Sequence, residues 1–257
     1  LIRVAVLGAC GKMGSEVIKT VLANSDCVLV GACDIVNIGT EIAKDVVITN
    51  DFEEMVKTAK PNVVVDFAKP FSIEKNEFLM KHGVSPIIGT TGQTQEELDL
   101  LSNLSKEYGV CSMVIPNFAL GAVLMMKFAG EIAKYMPDVE IIELHHDKKL
   151  DSPSGTALKT AKIIADARKE ANVTVTTALG NPDDPARGFH GIDDIHIHSV
   201  RLSGYVAHQE VIFGGLGQTL TLRHDSIDRT SFMPGVLMCI RESQKRKDFV
   251  YGLDKLL

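Results

Sequence analysis

The 257-residue sequence has no apolar run of the length a membrane span needs, and its apolar start, Ile2 to Leu7, passes straight into a glycine loop. Neither a membrane segment nor a signal peptide is expected. No C-x-x-C pair occurs: Cys10, Cys27, Cys33, Cys111 and Cys239 are odd in number and widely scattered, as the reduced thiols of a cytoplasmic protein would be. Positive charge is not in surplus either. A formal net charge of −6 and a pI near 5.8 argue against a nucleic-acid partner, because phosphate backbones are held by an excess of Lys and Arg. An anionic small molecule needs only a local positive pocket. Repeats, low-complexity tracts and charge blocks are missing too, Lys245-Arg246-Lys247 being too short to be more than a solvated cap. What remains is 45% hydrophobic and 23% charged, an ordinary globular composition in a chain long enough for two modest domains or for one α/β domain with a large insertion.

The first half alternates short apolar runs with helix-forming segments. Ile2 to Leu7 reads as a buried strand, Gly8-Ala9-Cys10-Gly11-Lys12-Met13-Gly14 as a glycine turn and Ser15 to Ala23 as a helix, which together form a phosphate cradle. The next strand, Val28 to Cys33, ends in Asp34, where an acid would receive the ribose hydroxyls of a dinucleotide. The loop is G-x-x-G-x-x-G, with Cys10 where the commoner pattern has its second glycine, and an α/β domain whose turn merely needs glycine is the plainer alternative. Further strands are predicted at Asn62 to Phe67, Pro86 to Ile88 and Val110 to Val114, after helices at Asp51 to Lys60, Ser72 to His82 and Gln95 to Tyr108. This alternation predicts a parallel sheet with its ligand beyond the carboxyl ends of the strands. Gly89-Thr90-Thr91-Gly92 and Ile115-Pro116-Asn117-Phe118 fall at that edge and are candidates for lining a nicotinamide.

In the second half, Ala119 to Tyr135 is an apolar helix of core type, Val139 to Leu144 a strand and Thr156 to Ala171 a helix. Val173 to Asp194, with Gly180, Pro182, Pro185 and Gly188, reads as a loop too long for a turn, a lid or an arm toward another subunit. Ile195 to Leu202, Val206 to Phe213 and Gln218 to His224 read as three strands joined antiparallel by glycine turns. Thr230 to Glu242 reads as a helix, and the tail, with Tyr251 to Leu257, is expected to return to the first domain. The expected domains are therefore 1–118 with 227–257, and 119–226.

The most concentrated chemistry lies in Glu143-Leu144-His145-His146-Asp147-Lys148-Lys149-Leu150-Asp151-Ser152-Pro153-Ser154-Gly155-Thr156-Ala157, on the connection from strand to helix. Histidine trades protons near neutral pH, and a capped helix start offers N–H groups to an anion beside the Lys149 ammonium. A second reading makes His145, His146, His196 and His198 the ligands of a metal-dependent hydrolase, although no Cys or carboxylate completes a ligand spacing. A third is a non-catalytic nicotinamide sensor.

The G-x-x-G-x-x-G start, Gly89-Thr90-Thr91-Gly92, Pro116-Asn117-Phe118 and above all Glu143 to Ala157, with His198-Ser199-Val200-Arg201 and Arg223-His224-Asp225-Ser226, resemble the 4-hydroxy-tetrahydrodipicolinate reductase family, also called dihydrodipicolinate reductase. The resemblance runs end to end, with Ser152 where members often have Ala. It implies an α/β protein: a Rossmann-type parallel sheet domain plus an α+β substrate-binding and oligomerisation domain. It also implies a cytoplasmic homotetramer of lysine biosynthesis that reduces a cyclic dicarboxylate with NADH or NADPH and needs no metal. By position, His145 is the implied proton donor, Lys149 the second catalytic residue, and His146, Ser154, Gly155 and Thr156 substrate contacts. Gly8, Ala9, Cys10, Gly11, Lys12, Met13, Asp34, Gly89, Thr90, Thr91, Ile115, Pro116, Asn117 and Phe118 are the implied cofactor contacts.

Overall fold

A computed structural model describes residues 1–175, 181 and 184–257, which form two compact units, Leu1–Leu120 with Phe232–Leu257 and Gly121–Ser231. The first unit runs β1 (Ile2–Leu7), α1 (Lys12–Leu22), β2 (Cys27–Cys33), β3 (Glu41–Ala43), β4 (Val46–Thr49), α2 (Phe52–Ala59), β5 (Val63–Asp66), α3 (Ile73–Lys81), β6 (Ser85–Ile88), α4 (Gln95–Tyr108) and β7 (Ser112–Val114). The apolar runs of β5, β6 and β7 are buried throughout, as strands covered on both faces must be. Helix boundaries follow from caps: Asp51 and Ser72 accept the N–H groups of Glu54 and Lys75, and Thr94 with Glu97 forms a capping box. Gly109, left-handed at φ 63°, ends α4 where the sequence predicts.

The second unit holds α5 (Leu120–Ala133), β8 (Asp138–His145), α6 (Gly155–Ala171), β9 (Phe189–Ile192), β10 (Ile195–Arg201), β11 (Ala207–Gly215) and β12 (Gln218–Ser226). Its core sets Met125, Ala129 and Ala133 of α5 and Ala157, Ala161, Ile164 and Ala167 of α6 against Val139, Ile141, Ile195, Ile197, Val211 and Phe213 of the sheet. The alanines bring the helices close to the strands. The chain then returns to the first unit as α7 (Met233–Ser243) and β13 (Phe249–Tyr251).

In the first sheet the order is β13-β7-β6-β5-β1-β2-β4-β3, parallel except for the β3–β4 pair. The chain works outward from β1 on one side and then crosses to β5, so the switch point lies between β1 and β5, where the glycine loop emerges. β3 and β4 escape the sequence reading because three and four residues are too few to display a period. The last helix begins at Met233, not Thr230, because Pro234 fits only a first turn and a 3-10 turn precedes it.

In the second sheet the order is β12-β11-β8-β10-β9. β11 and β12 form the expected hairpin, but β10 does not pair with β11. It runs parallel to β8, which lies between them, so Ser203-Gly204-Tyr205 is a connection and not a hairpin turn. A glycine turn marks a reversal and cannot name the neighbour; β8, with its alternating buried face, takes the centre. The expected long loop at 173–194 includes a 3-10 turn (Pro185–Arg187) and strand β9, which pairs antiparallel with β10. Residues 176–180 and 182–183 of that segment, and the lid or arm expected there, lie outside the described residues. Among the described residues no helix is long and apolar enough to cross a membrane.

Candidate active site

In the first unit the loop after β1 folds back on itself. Gly8 has φ +72°, and a Cβ on it would lie 3.0 Å from the backbone of Phe67 and Ala68. The N–H groups of Gly8 and Ala9 are spent on the Cys33 carbonyl (3.0 and 3.3 Å), that of Cys10 on Asp34 Oδ2 (2.8 Å) and that of Gly11 on the Gly8 carbonyl (3.0 Å). Helix α1 then starts after Gly11, its N-cap, without a side-chain cap and with no acid in its first turn. The N–H groups of Lys12, Met13 and Gly14 thus have no helical acceptor, and the positive end of the helix is unquenched, as an anion site requires. Cys10 does not crowd this cradle: its thiol receives Asn37 Nδ2 at 3.6 Å and lies 3.5 Å from the Val36 carbonyl. A side chain is tolerated where the commoner pattern has glycine because it turns toward the loop after β2.

Asp34 is fixed at the end of β2 by three N–H donors, Cys10, Ile35 (2.7 Å) and Val36 (3.3 Å). At the ends of β5, β6 and β7, the Phe67 and Phe118 rings pack 5.6 Å apart, and a Cβ on Gly89 would fall 2.2 Å from the Phe67 ring. Ile115, Phe118 and Thr90 are buried, so their side chains hold the turns and leave backbone and the neighbouring Thr91, Pro116 and Asn117 toward the surface. The Asn117 side chain is itself engaged, accepting the Ala119 N–H at 2.9 Å. This loop set fits a dinucleotide: a close-approach glycine turn, unspent helical N–H groups and an anchored acid after β2.

The second unit carries the histidine and lysine constellation, organised by a residue to which the sequence reading gave no role. Glu143 is fully buried on the core face of β8. Its Oε2 receives His145 Nδ1 at 2.5 Å and Arg201 Nη1 at 2.8 Å; its Oε1 receives Arg201 Nη2 at 2.8 Å and the Ser154 N–H at 3.1 Å. Sheet register explains the convergence, since β10 sets Ser199 beside Glu143 and Arg201 beside His145. The legible signal was an acid at an inward position of an alternating apolar strand. Burial pushes the Glu143 carboxyl up, but hydrogen bonds from His145, Arg201 and Ser199 outweigh it and bring the group down to about 2.

A depressed carboxyl contributes stability above its unfolded value, here near 4.5, and loses it as pH falls through about 2. The difference in unfolding free energy between the wild type and Glu143→Gln should therefore be flat from neutrality to about pH 4.5 and shrink between there and about pH 2. Denaturant titrations at stepped pH check this; a difference that does not change with pH would contradict it.

Arg201 Nη2 also donates to the Asp151 carbonyl at 2.7 Å, and the Asp151 carboxylate holds Lys149 Nζ at 2.7 and 2.8 Å. His145 and Lys149 are thus joined in one network through Glu143, Arg201 and Asp151, and the lysine is paired with its own loop. Ser154 is placed at the start of α6. It is 2% exposed, its hydroxyl caps α6 by accepting the Ala157 N–H, and its own N–H is spent on Glu143. Gly155 and Thr156 keep the unspent N–H groups of the helix start, and beyond its chain neighbours and its own helix no atom of the described residues lies within 4 Å of where a Gly155 Cβ would be. His146 is exposed.

The four histidines of the hydrolase reading do not converge. His198 pairs in register with Ile142, on the face of the sheet opposite His145, and its Nε2 meets Glu140 at 2.8 Å; His196 stacks on His190 at 4.9 Å. Among the described residues no group of three or more His, Cys, Asp or Glu could hold a metal ion.

Comparison with known proteins covers both units. Residues 2–118 match the family model described as dihydrodipicolinate reductase, N-terminus, and residues 121–257 the one described as its C-terminus. The chain is 47% identical over 268 residues to the 4-hydroxy-tetrahydrodipicolinate reductase of Syntrophomonas wolfei, covering 99% of this chain and 98% of the relative. To that of Lysinibacillus sphaericus it is 45% identical over 270 residues, covering 100% and 99%. The dipicolinate-bound dihydrodipicolinate reductase of Paenisporosarcina sp. TG-14 superimposes with a TM-score of 0.90 at 44% identity over all of both chains.

Proposed function

The chain belongs to the dihydrodipicolinate reductase family, and from that premise we infer that it reduces 4-hydroxy-tetrahydrodipicolinate, by way of dihydrodipicolinate, to tetrahydrodipicolinate in the diaminopimelate route to lysine. It is an NAD(P)H-dependent oxidoreductase. The bound nicotinamide supplies the hydride. The chain's residues supply the rest. The N–H groups of Lys12, Met13 and Gly14 hold the pyrophosphate, Asp34 the adenosine ribose, and the turns at Gly89 to Thr91 and Ile115 to Phe118 border the nicotinamide.

His145, as the imidazolium, delivers the proton from Nε2 and is left as the neutral Nδ1–H tautomer. Its Nδ1 donates to Glu143, so Nε2, which has no partner among the described residues, is the nitrogen left to face a substrate. Lys149 and the N–H groups of Gly155 and Thr156 hold the substrate carboxylates, with the lysine exchanging Asp151 for the ligand. His146 lies on the same exposed loop and completes that contact set. The working form is a homotetramer of the cytoplasm whose second units associate through their sheets. The observation that carries the reading is the anchored imidazole, joined through Arg201 and Asp151 to a lysine that flanks an open helix start.

A cofactor-oxidation assay tests it. Reduced nicotinamide absorbance should fall when 4-hydroxy-tetrahydrodipicolinate is added, with NADH or NADPH, and should not fall with acyclic keto acids. Absence of oxidation with both cofactors, using freshly generated substrate, would overturn the reading.

A further inference from the structure

We propose that Glu143 and Arg201 are positioning residues for the reductive step: the buried carboxylate, gripped by the guanidinium, fixes the tautomer and ring orientation of His145, and the same guanidinium sets the register of the Lys149 loop. The proposal rests on the reductase reading given above.

Every acceptor position of Glu143 is occupied from within the chain. Oε1 takes Arg201 Nη2 and the Ser154 N–H; Oε2 takes Arg201 Nη1 and His145 Nδ1. The residue is fully buried. Nothing is left with which to touch a substrate, so the carboxylate acts only through the groups it holds. Facing an ionised oxygen at 2.5 Å, Nδ1 of His145 must carry its proton, which leaves Nε2 as the nitrogen that exchanges protons with a ligand. One contact on a ring nitrogen also fixes the plane of the imidazole against rotation about its bond to the chain.

Arg201 extends this anchoring to the second proposed catalytic residue. Its Nη1 is shared between Glu143 and the Val200 carbonyl, its Nη2 between Glu143 and the Asp151 carbonyl. The planar fork couples a strand to the loop that presents Lys149, and a lysine in its place could supply charge but not two parallel arms. Stability is a poor explanation for the pair, since buried ion pairs roughly break even against well-packed apolar residues of similar volume. Orientation explains both members: a carboxylate on the core face one strand turn before His145, and a guanidinium in register beside it.

Glu143→Gln, Glu143→Asp and Arg201→Lys in the full chain separate this from a packing role. Glu143→Gln should lower kcat by about 10²-fold, the cost of misplacing a reacting group by around an ångström, with substrate KM and nicotinamide binding little changed. The order of the Glu143 variants is diagnostic. If size matters, the isosteric glutamine should outperform the shorter aspartate; if the charged acceptor matters, aspartate should recover more of the rate than glutamine. Nitrogen-15 spectra of the histidines, with His145 assigned by difference against His145→Gln, should show an Nδ1–H imidazole in the wild type and its loss in Glu143→Gln. Arg201→Lys should lower kcat by less and also raise the substrate KM, because the loop that presents Lys149 loses its register, and it carries the test if the Glu143 variants do not fold. A wild-type His145 with Nδ1 bare would overturn the proposal even with full reductase activity, as would unaltered kcat in Glu143→Gln or Arg201→Lys. Lack of turnover by the wild type would instead remove the reductase reading and leave the spectra to judge the anchoring.

Discussion

His145→Ala should slow turnover by roughly 10²–10⁴-fold, the usual loss when a general acid or base is removed, while nicotinamide still binds with unchanged affinity. Two features underlie the expectation. The imidazole is only 13% exposed and is anchored at one nitrogen, so its other nitrogen is presented in one direction, and no other histidine shares its face of β8 or the face of β10 beside it. His146, the adjacent candidate, is exposed and has no carboxylate to hold it among the described residues. A substitute proton donor is therefore not at hand, and water in an unrestrained position has to serve. The proposed cofactor contacts belong to the other compact unit, which explains why affinity for nicotinamide should survive. Stopped-flow turnover and nicotinamide fluorescence measure the two effects separately. A variant with wild-type rate would show that the proton comes from elsewhere, and one with weakened cofactor binding would show that the units are not independent in function.

How far these features are readable without coordinates depends on the range of the interactions. The Gly8 to Gly14 loop, the strand before it and Asp34 after the next strand are local, and local rules of caps, turns and periodicity locate them. The same holds for α4, whose Thr94 capping box and Gly109 terminate it at both ends. The neighbours of β8 were not readable. A parallel partner 50 residues or more along the chain leaves no local signature, so β10 was assigned to the wrong neighbour and Arg201 was not linked to Glu143. The histidine and lysine of the central stretch were legible as residue types that do chemistry. The glutamate two residues earlier falls inside the same stretch but carries no role in the sequence pattern, although a carboxylate facing a core demands partners and that demand is visible in the alternation of β8. Ser154 shows the dual use of a cap: its hydroxyl accepts the Ala157 N–H, which makes the helix start recognisable, while its own N–H is spent on Glu143, a contact 11 residues back that no local pattern displays.

The second large effect concerns the first unit. Gly14→Ala should destabilise the protein and abolish tight nicotinamide binding, whereas Gly11→Ala should do neither to the same degree. On helix propensity alone the sign would be reversed, because alanine in a helix is favoured over glycine by about 1 kcal/mol. Space decides against it. A Cβ on Gly14 would lie 2.1 Å from the Gly8 carbonyl oxygen and 2.8 Å from its carbon, both backbone atoms that cannot rotate away. Gly8 cannot retreat, since its φ of +72° and its own approach to Phe67 and Ala68 leave it no slack. Helix α1 must therefore move off the loop, at a cost of roughly 1–3 kcal/mol or more for overpacking, which exceeds the propensity gain. The same displacement shifts the N–H groups of Lys12 and Met13, the start of the helix on which the phosphate reading rests. At Gly11 the nearest atom to a Cβ is 3.2 Å away, a contact that a few tenths of an ångström relieves. Urea midpoints and nicotinamide titrations of the two variants, measured side by side, test the argument. A Gly14→Ala protein as stable as the wild type and with the same cofactor affinity would mean that the close packing of helix on loop is not what shapes the cradle.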